Sequence, residues 1–189
     1  MRTDIRLAGS GGQGLITAGV ILAEAAGLHE GKHVAQTQSY GPEARGGASK
    51  AEVVISDGTI HYPKAQRLDV LLAMTQEACD RYFHDLKAEG TLIVDADLVP
   101  NPPTSAALAV PITRLVREVL GRDLFANIAA LGVVAGATGI VGLPALEAAV
   151  LARVPKGTED ANRKALETGF AAGRDAARGA PAEEFAADA

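Results

Sequence analysis

Short apolar runs alternate with longer segments of helical spacing along most of the chain. "DIRLAG" (residues 4–9) contains the apolar run of a short buried strand. A glycine turn and a helix over about residues 12–26 follow it, with Gly27 as the stop signal. "HVAQTQSY" reads as a second strand, "GPEARGG" as a loop and "SKAEVVIS" as a third strand. The turn "SDGT" returns that strand through "IHYP", which predicts an antiparallel hairpin near Asp57. "LDVLLAM" and "GTLIVDAD" are further strands, separated by a helix over residues 76–87. Pro100, Pro102 and Pro103 make a stiff crossing before one more short strand, "ALAVP". From Ile112 to about Arg174 the pattern is helical, with breaks at Gly121 and at residues 142–144 and 155–157.

Strands alternating with helical segments of roughly a dozen residues predict an α/β fold. The expected architecture is a three-layer, Rossmann-like and mostly parallel sheet with an antiparallel hairpin and a helical C-terminal part. At 189 residues the chain is most economically one domain, over residues 1–175. Residues 176–189 are Ala-rich and acidic and read as a frayed tail, or one docked on a partner through Phe185.

Only 4% of residues are aromatic and none is Trp, so the core must be built from Ala, Val, Leu and Ile. A net charge of -5 argues against nucleic acid or an anionic membrane as partner. Cys79 is the only cysteine, so this chain can neither close a disulfide nor hold an iron–sulfur cluster. Its neighbours Glu77 and Asp80 raise its pKa, which argues against a catalytic thiol. His29, His33, His61 and His84 lack metal-ligand spacing. The most apolar stretch, residues 128–146, carries four glycines and a proline and reads as a buried helix pair rather than a membrane span. The charged start does not read as a signal peptide, so the expected location is the cytoplasm.

Gly9, Gly11 and Gly14 stand in G-x-G-x-x-G register between a predicted strand and a predicted helix. Glycines let the backbone approach a ligand, and the open N–H groups of a helix start attract an anion. The candidate set is Gly9, Ser10, Gly11, Gly12, Gln13, Gly14 and Thr17. The same glycines also suit a tight turn with close strand–helix packing and no ligand. A dinucleotide fold wants an acid at the end of the second strand, where this chain has "QTQSY". Leu15 stands where a P-loop needs Lys. NAD, FAD and ATP therefore fit poorly, and no arginine clamp is evident beside the turn.

The second candidate is the loop Ser39, Tyr40, Gly41, Pro42, Glu43, Arg45, Gly46 and Gly47. Arg45 offers a planar fork for phosphate or carboxylate, and the two final glycines permit close backbone approach. A solvated surface loop is the plainer reading. Asp95 and Asp97, at a strand's C-terminal end, suit capping better than acid–base work. Asn127 reads either as a cap or as a buried contact to a partner.

"GSGGQG" followed by "TQSYGPEARGG" resembles the gamma subunit of 2-oxoacid:acceptor oxidoreductases, thiamine-diphosphate enzymes that reduce ferredoxin. The resemblance continues in "EVVISDGTIHYPKAQRLDVLLAMTQEA", "GTLIVDADLV" and "NIAALGVVAGATGIVGLPALEAAV", and covers roughly residues 4–151. It is nearest the 2-oxoglutarate type, with pyruvate, branched-chain and aryl-glyoxylate types as alternatives. It implies alpha and beta catalytic subunits that hold thiamine diphosphate, magnesium and 4Fe-4S clusters, with a ferredoxin-like delta subunit beside them. Electrons leave to ferredoxin, or to NAD through a flavin subunit, and the acyl group leaves on coenzyme A. It further implies that this chain's glycine turn helps bind coenzyme A; the loop from Ser39 to Gly47, with Arg45 on a glycine-flanked segment, is then expected to face the catalytic subunits. Two readings compete with it: a stand-alone nucleotide-binding module, and a small NAD or FAD dehydrogenase. The last is weakest, because no Tyr–Lys, His or Cys constellation accompanies the turn.

Overall fold

The computed structural model describes residues 1–39 and 48–179. Strand β1 (Arg2–Ser10) sets the pattern: Ile5 and Leu7 belong to one apolar cluster, while Arg6 and Ala8 between and beyond them point to the other face. It joins β2 (His33–Ser39), β3 (Ala48–Ser56), β4 (Leu68–Ala73), β5 (Leu86–Asp95) and β6 (Leu108–Val110) in a six-stranded sheet of order β2-β3-β1-β4-β5-β6. Only β3 runs against its neighbours; the β1–β4, β4–β5 and β5–β6 pairs are parallel.

The mostly parallel sheet is as expected, but the antiparallel hairpin lies elsewhere. It is formed by β2 and β3, and "IHYP" is not a strand. That segment is laid beside β1 and tied by its main chain. The carbonyls of Tyr62 and Lys64 accept from Arg2 at 3.0 Å each, and the Gln66 N–H donates to Asp4 at 3.0 Å. Pro63 has no N–H for a ladder, which disfavours pairing there.

Helix α1 (Leu15–Glu24) starts later than predicted, because Gly12 and Gly14 hold φ of 92° and 74° and delay the helical backbone. Gly27 does not stop it; the chain widens into a π turn over Ala25–His29. Helix α2 (Gln76–Tyr82) is shorter than predicted, and a 3-10 turn at Phe83–Asp85 leads straight into β5. The C-terminal helices are α3 (Ile112–Leu120), α4 (Ala126–Thr138), α5 (Leu143–Arg153) and α6 (Glu159–Gly179). The breaks at Gly121 and at 155–157 fall where expected, while the middle one lies at 139–142 and Pro144 sits inside the first turn of α5, where its missing N–H costs nothing. Helix α6 continues through residues 176–179 of the predicted tail; residues 180–189 lie outside the described residues.

One face of the sheet carries α1 and α3 to α6 over a cluster that includes Ile5, Leu7, Val53, Leu72 and Ile93. Its centre is a pair of helices, α4 and α6, in direct backbone contact. A methyl group at Gly136 would sit 2.1 Å from the Phe170 carbonyl oxygen, and one at Gly169 2.0 Å from that of Ala129. Gly132 and Gly173 are equally constrained, at 2.3 Å from the Leu166 oxygen and 2.2 Å from the Val133 oxygen. Ala129 meets Gly169 and Val133 meets Gly173, so the two helices run in the same direction. Small residues four apart on both partners permit this approach.

The opposite face carries α2 over Ala8, Leu71, Ala73, Leu92 and Val94. Beside that smaller cluster lies a buried ionic network. Arg6 donates to Glu52 at 2.7 and 3.0 Å and also pairs with Asp85, while Lys50 reaches Glu52 at 2.8 Å. Burial pushes the Glu52 carboxyl up, but hydrogen bonds from Lys50 and Arg6 outweigh it and leave the pKa below its ordinary value. The Tyr82 ring lies 4.8 Å from the Arg6 guanidinium and 5.5 Å from the Lys50 ammonium.

Candidate functional site

After β1 the chain enters α1 on the many-helix face; after β4 it enters α2 on the other. The crevice between the C-terminal ends of β1 and β4 is therefore the topological switch point, where open α/β sheets receive ligands. The glycine turn forms one lip of it. Gln13 bridges the two strands: its Oε1 accepts from the Ser10 N–H at 2.8 Å, and its Nε2 donates to the Met74 carbonyl at 3.3 Å. A methyl at Gly9 would fall 2.2 Å from that Oε1, so Gly9 leaves room for the bridge. The amide that was a candidate ligand is thus engaged within the turn, and so is the Ser10 N–H.

Above the bridge is a cavity of about 430 Å³. Gly12 and Gln13 form its floor with Met74, and Thr113 and Arg117 of α3 reach it from the side. Gly11 is exposed. Gly14, the left-handed residue before α1, is held by Asn127, whose Nδ2 donates to its carbonyl at 3.3 Å. Asn127 therefore supports the turn. Thr17 faces a second cavity of about 210 Å³, lined by Ile21, Phe125, Ile128 and Pro155, away from the turn.

Asp95 is fully buried and caps α3, accepting from the Thr113 N–H at 2.9 Å and its hydroxyl at 2.7 Å. Asp97 pairs with Arg114 at 3.4 Å. Capping is therefore the role the geometry gives Asp95, and through Thr113 it fixes one wall of the cavity. Burial, with Asp80 beside it, pushes the Cys79 thiol up to about 11, which keeps it protonated. Among the described residues no three His, Cys, Asp or Glu side chains converge as a metal site, and no helix is long and apolar enough to cross a membrane.

Of the second candidate loop, Ser39 ends β2, opposite Lys50, in a polar recess of about 330 Å³ with Thr37 and Lys64. Tyr40, Gly41, Pro42, Glu43, Arg45, Gly46 and Gly47 lie outside the described residues. The loop's anchors, Ser39 and Ala48, stand at the same end of the sheet as the glycine turn, since Ala48 pairs with Ser10.

The cation that the turn lacks in sequence is supplied by α3. Arg117 lines the cavity and is bound two-pronged by Asp123, Nε to Oδ1 at 2.8 Å and Nη2 to Oδ2 at 2.6 Å. That hydrogen bond keeps the Asp123 carboxyl below its ordinary pKa. No local motif announces Arg117; only the fold brings a residue of α3 over a turn that ends β1.

The family model of pyruvate ferredoxin/flavodoxin oxidoreductase matches residues 4–172. The chain belongs to this family. Its likeness is full-length: it is 48% identical over 177 residues to the 2-oxoglutarate synthase subunit KorC of Methanothermobacter marburgensis, covering 89% of this chain and 95% of that one. Among solved structures, the gamma subunit of a keto/oxoacid ferredoxin oxidoreductase from Geobacter sulfurreducens superposes with a TM-score of 0.85 at 49% identity, over 93% of this chain and 98% of that one. A 2-oxoglutarate:ferredoxin oxidoreductase from Magnetococcus marinus, solved with 2-oxoglutarate, coenzyme A and succinyl-CoA bound, shares the fold at a TM-score of 0.81 and 20% identity; 92% of this chain matches 31% of that one. The resemblance read from the two glycine motifs is borne out, and the oxidoreductase gamma-subunit fold with it.

Proposed function

We propose that this chain is the gamma subunit of a 2-oxoglutarate:ferredoxin oxidoreductase, and that its glycine turn and the cavity above it hold part of coenzyme A. The observation that carries the second half is the 430 Å³ cavity at the switch point, which the turn backbone at Gly12 and the Arg117 guanidinium both line. That donor set suits a pyrophosphate. The space fits that group and what adjoins it, so the rest of the coenzyme lies against other chains.

Bound coenzyme A supplies the thiol that accepts the acyl group. The residues of this chain orient it: the turn approaches the phosphates closely, Arg117 balances their charge, and Asp95 holds Thr113 in place. Thiamine diphosphate, magnesium and the 4Fe-4S clusters belong to alpha and beta catalytic subunits; for the clusters, the single, buried Cys79 of this chain supports that reading, since it cannot ligate one. A ferredoxin-like delta subunit passes electrons to ferredoxin, and the complex works in the cytoplasm. The loop from Ser39 to Gly47 faces the catalytic subunits, with Arg45 pairing a partner or substrate carboxylate.

The test is the assembled complex, assayed with a panel of 2-oxoacids. We expect preference for 2-oxoglutarate, and no turnover by this chain alone. Gly12→Val places a branched side chain at φ 92° on the cavity floor and should raise the KM for coenzyme A by roughly tenfold or more, leaving decarboxylation intact. An unchanged KM in a folded complex returns the turn to a packing role, and preference for another 2-oxoacid overturns the substrate assignment.

A further inference from the structure

At the mouth of the cavity, the Arg117 guanidinium is paired with a carboxylate from its own chain in the two-pronged geometry that a phosphate would take. Both side chains are open to solvent, Arg117 at 62% and Asp123 at 48% exposure. A pair this exposed contributes little to stability and exchanges readily. The neighbouring pair, Arg114 with Asp97 at 3.4 Å, is also exposed, but neither residue lines the cavity, and the buried Asp95 is occupied by Thr113. Asp123 opens the 3-10 turn Asp123–Phe125, whose next residue, Leu124, is 72% exposed and borders both the 430 Å³ cavity and the 210 Å³ apolar one.

We propose that Asp123 is an internal stand-in for the ligand's phosphate: it occupies Arg117 in the free protein and is displaced when the anion enters the cavity. The inference rests on the coenzyme reading above and adds to it a competitor built into the site. The consequence is a reversed effect of charge. Removing Arg117 weakens binding, whereas removing the negative charge six residues further on strengthens it. A structural pair predicts loss on both sides. The exchange also releases the turn that carries Leu124, so the apolar cavity changes shape as the polar one fills.

The probe is inorganic pyrophosphate, titrated into the full chain and followed by calorimetry and by the Arg117 Nε–H resonance. Arg117→Ala should weaken binding by roughly tenfold or more, and Arg117→Lys should recover part of it. Asp123→Asn should tighten it by about twofold to fivefold. In the wild type the Nε–H signal should move on saturation, and in Asp123→Asn it should start from a different position and finish at the same one. Weaker binding in Asp123→Asn, or an Nε–H signal that stays still while pyrophosphate binds, overturns the stand-in. Failure of wild type to bind pyrophosphate, with coenzyme A affinity of the assembled complex indifferent to Gly12→Val, overturns the coenzyme reading itself and the stand-in with it.

Discussion

On one side of the sheet, five helices bury an apolar cluster and two of them touch backbone to backbone through Gly132, Gly136, Gly169 and Gly173. On the other, one short helix shares the surface with Arg6, Glu52, Lys50 and the Tyr82 ring. The first side depends on shape and area, which pH does not alter. The second depends on charges that neutralise one another at short range. The same sheet is therefore vulnerable to steric change on one face and to protonation on the other.

The largest break is expected at Gly136→Val. Its side chain meets the Phe170 carbonyl, and the helices have no slack to absorb it. We expect a loss of about 3 kcal/mol or more, a fall of roughly 6–12 °C in thermal midpoint. The loss should be equal in acid and at neutral pH by circular dichroism. A much smaller loss would mean that α6 slides away from α4 without cost.

Glu52→Gln comes next, at about 3 kcal/mol at neutral pH, since it leaves Arg6 and Lys50 without their shared carboxylate. Here pH matters. The folded pKa of Glu52 is lowered, so its stabilisation is complete above the unfolded pKa and is lost as pH falls through the folded one. Urea midpoints of wild type and variant should therefore converge in acid. Parallel curves at every pH would remove the carboxylate's charge from the account.

The smallest effect is expected at Tyr82. Replacing it by Leu removes the ring from Arg6 and Lys50 and should cost about 1 kcal/mol, while Phe keeps the ring and should cost little. Equal costs for both would assign the effect to the hydroxyl instead.

The apolar runs of β1, β4 and β5 and the glycine turn are legible in the sequence, because each is written in consecutive residues. The place of β3 between β2 and β1 is not, since "SKAEVVIS" pairs equally well in pattern with either neighbour. "IHYP" resembles a returning strand by position, yet its role is carried by the carbonyls of Tyr62 and Lys64, which no side-chain pattern reports. Gly169 and Gly173 hide in the same way: their contacts are made by absent side chains. In the site, Gly9 and Gly14 are legible, whereas Gln13 turns inward and Arg117 arrives from α3. Local chemistry was readable; long-range convergence needed the fold.

The parallel α4–α6 seam also has a consequence for biosynthesis. Helix α4 emerges from the ribosome well before the residues that cover it. The face of α4 at Gly132 and Gly136 must wait for α6, because the atoms nearest a side chain there all belong to α6. At about 5–20 residues per second, the interval between synthesis of Gly136 and of Gly173 is on the order of seconds. That is long compared with helix formation or chain collapse. During that interval the nascent chain has a groove open to any helix bearing small residues, and that is when a chaperone protects it most.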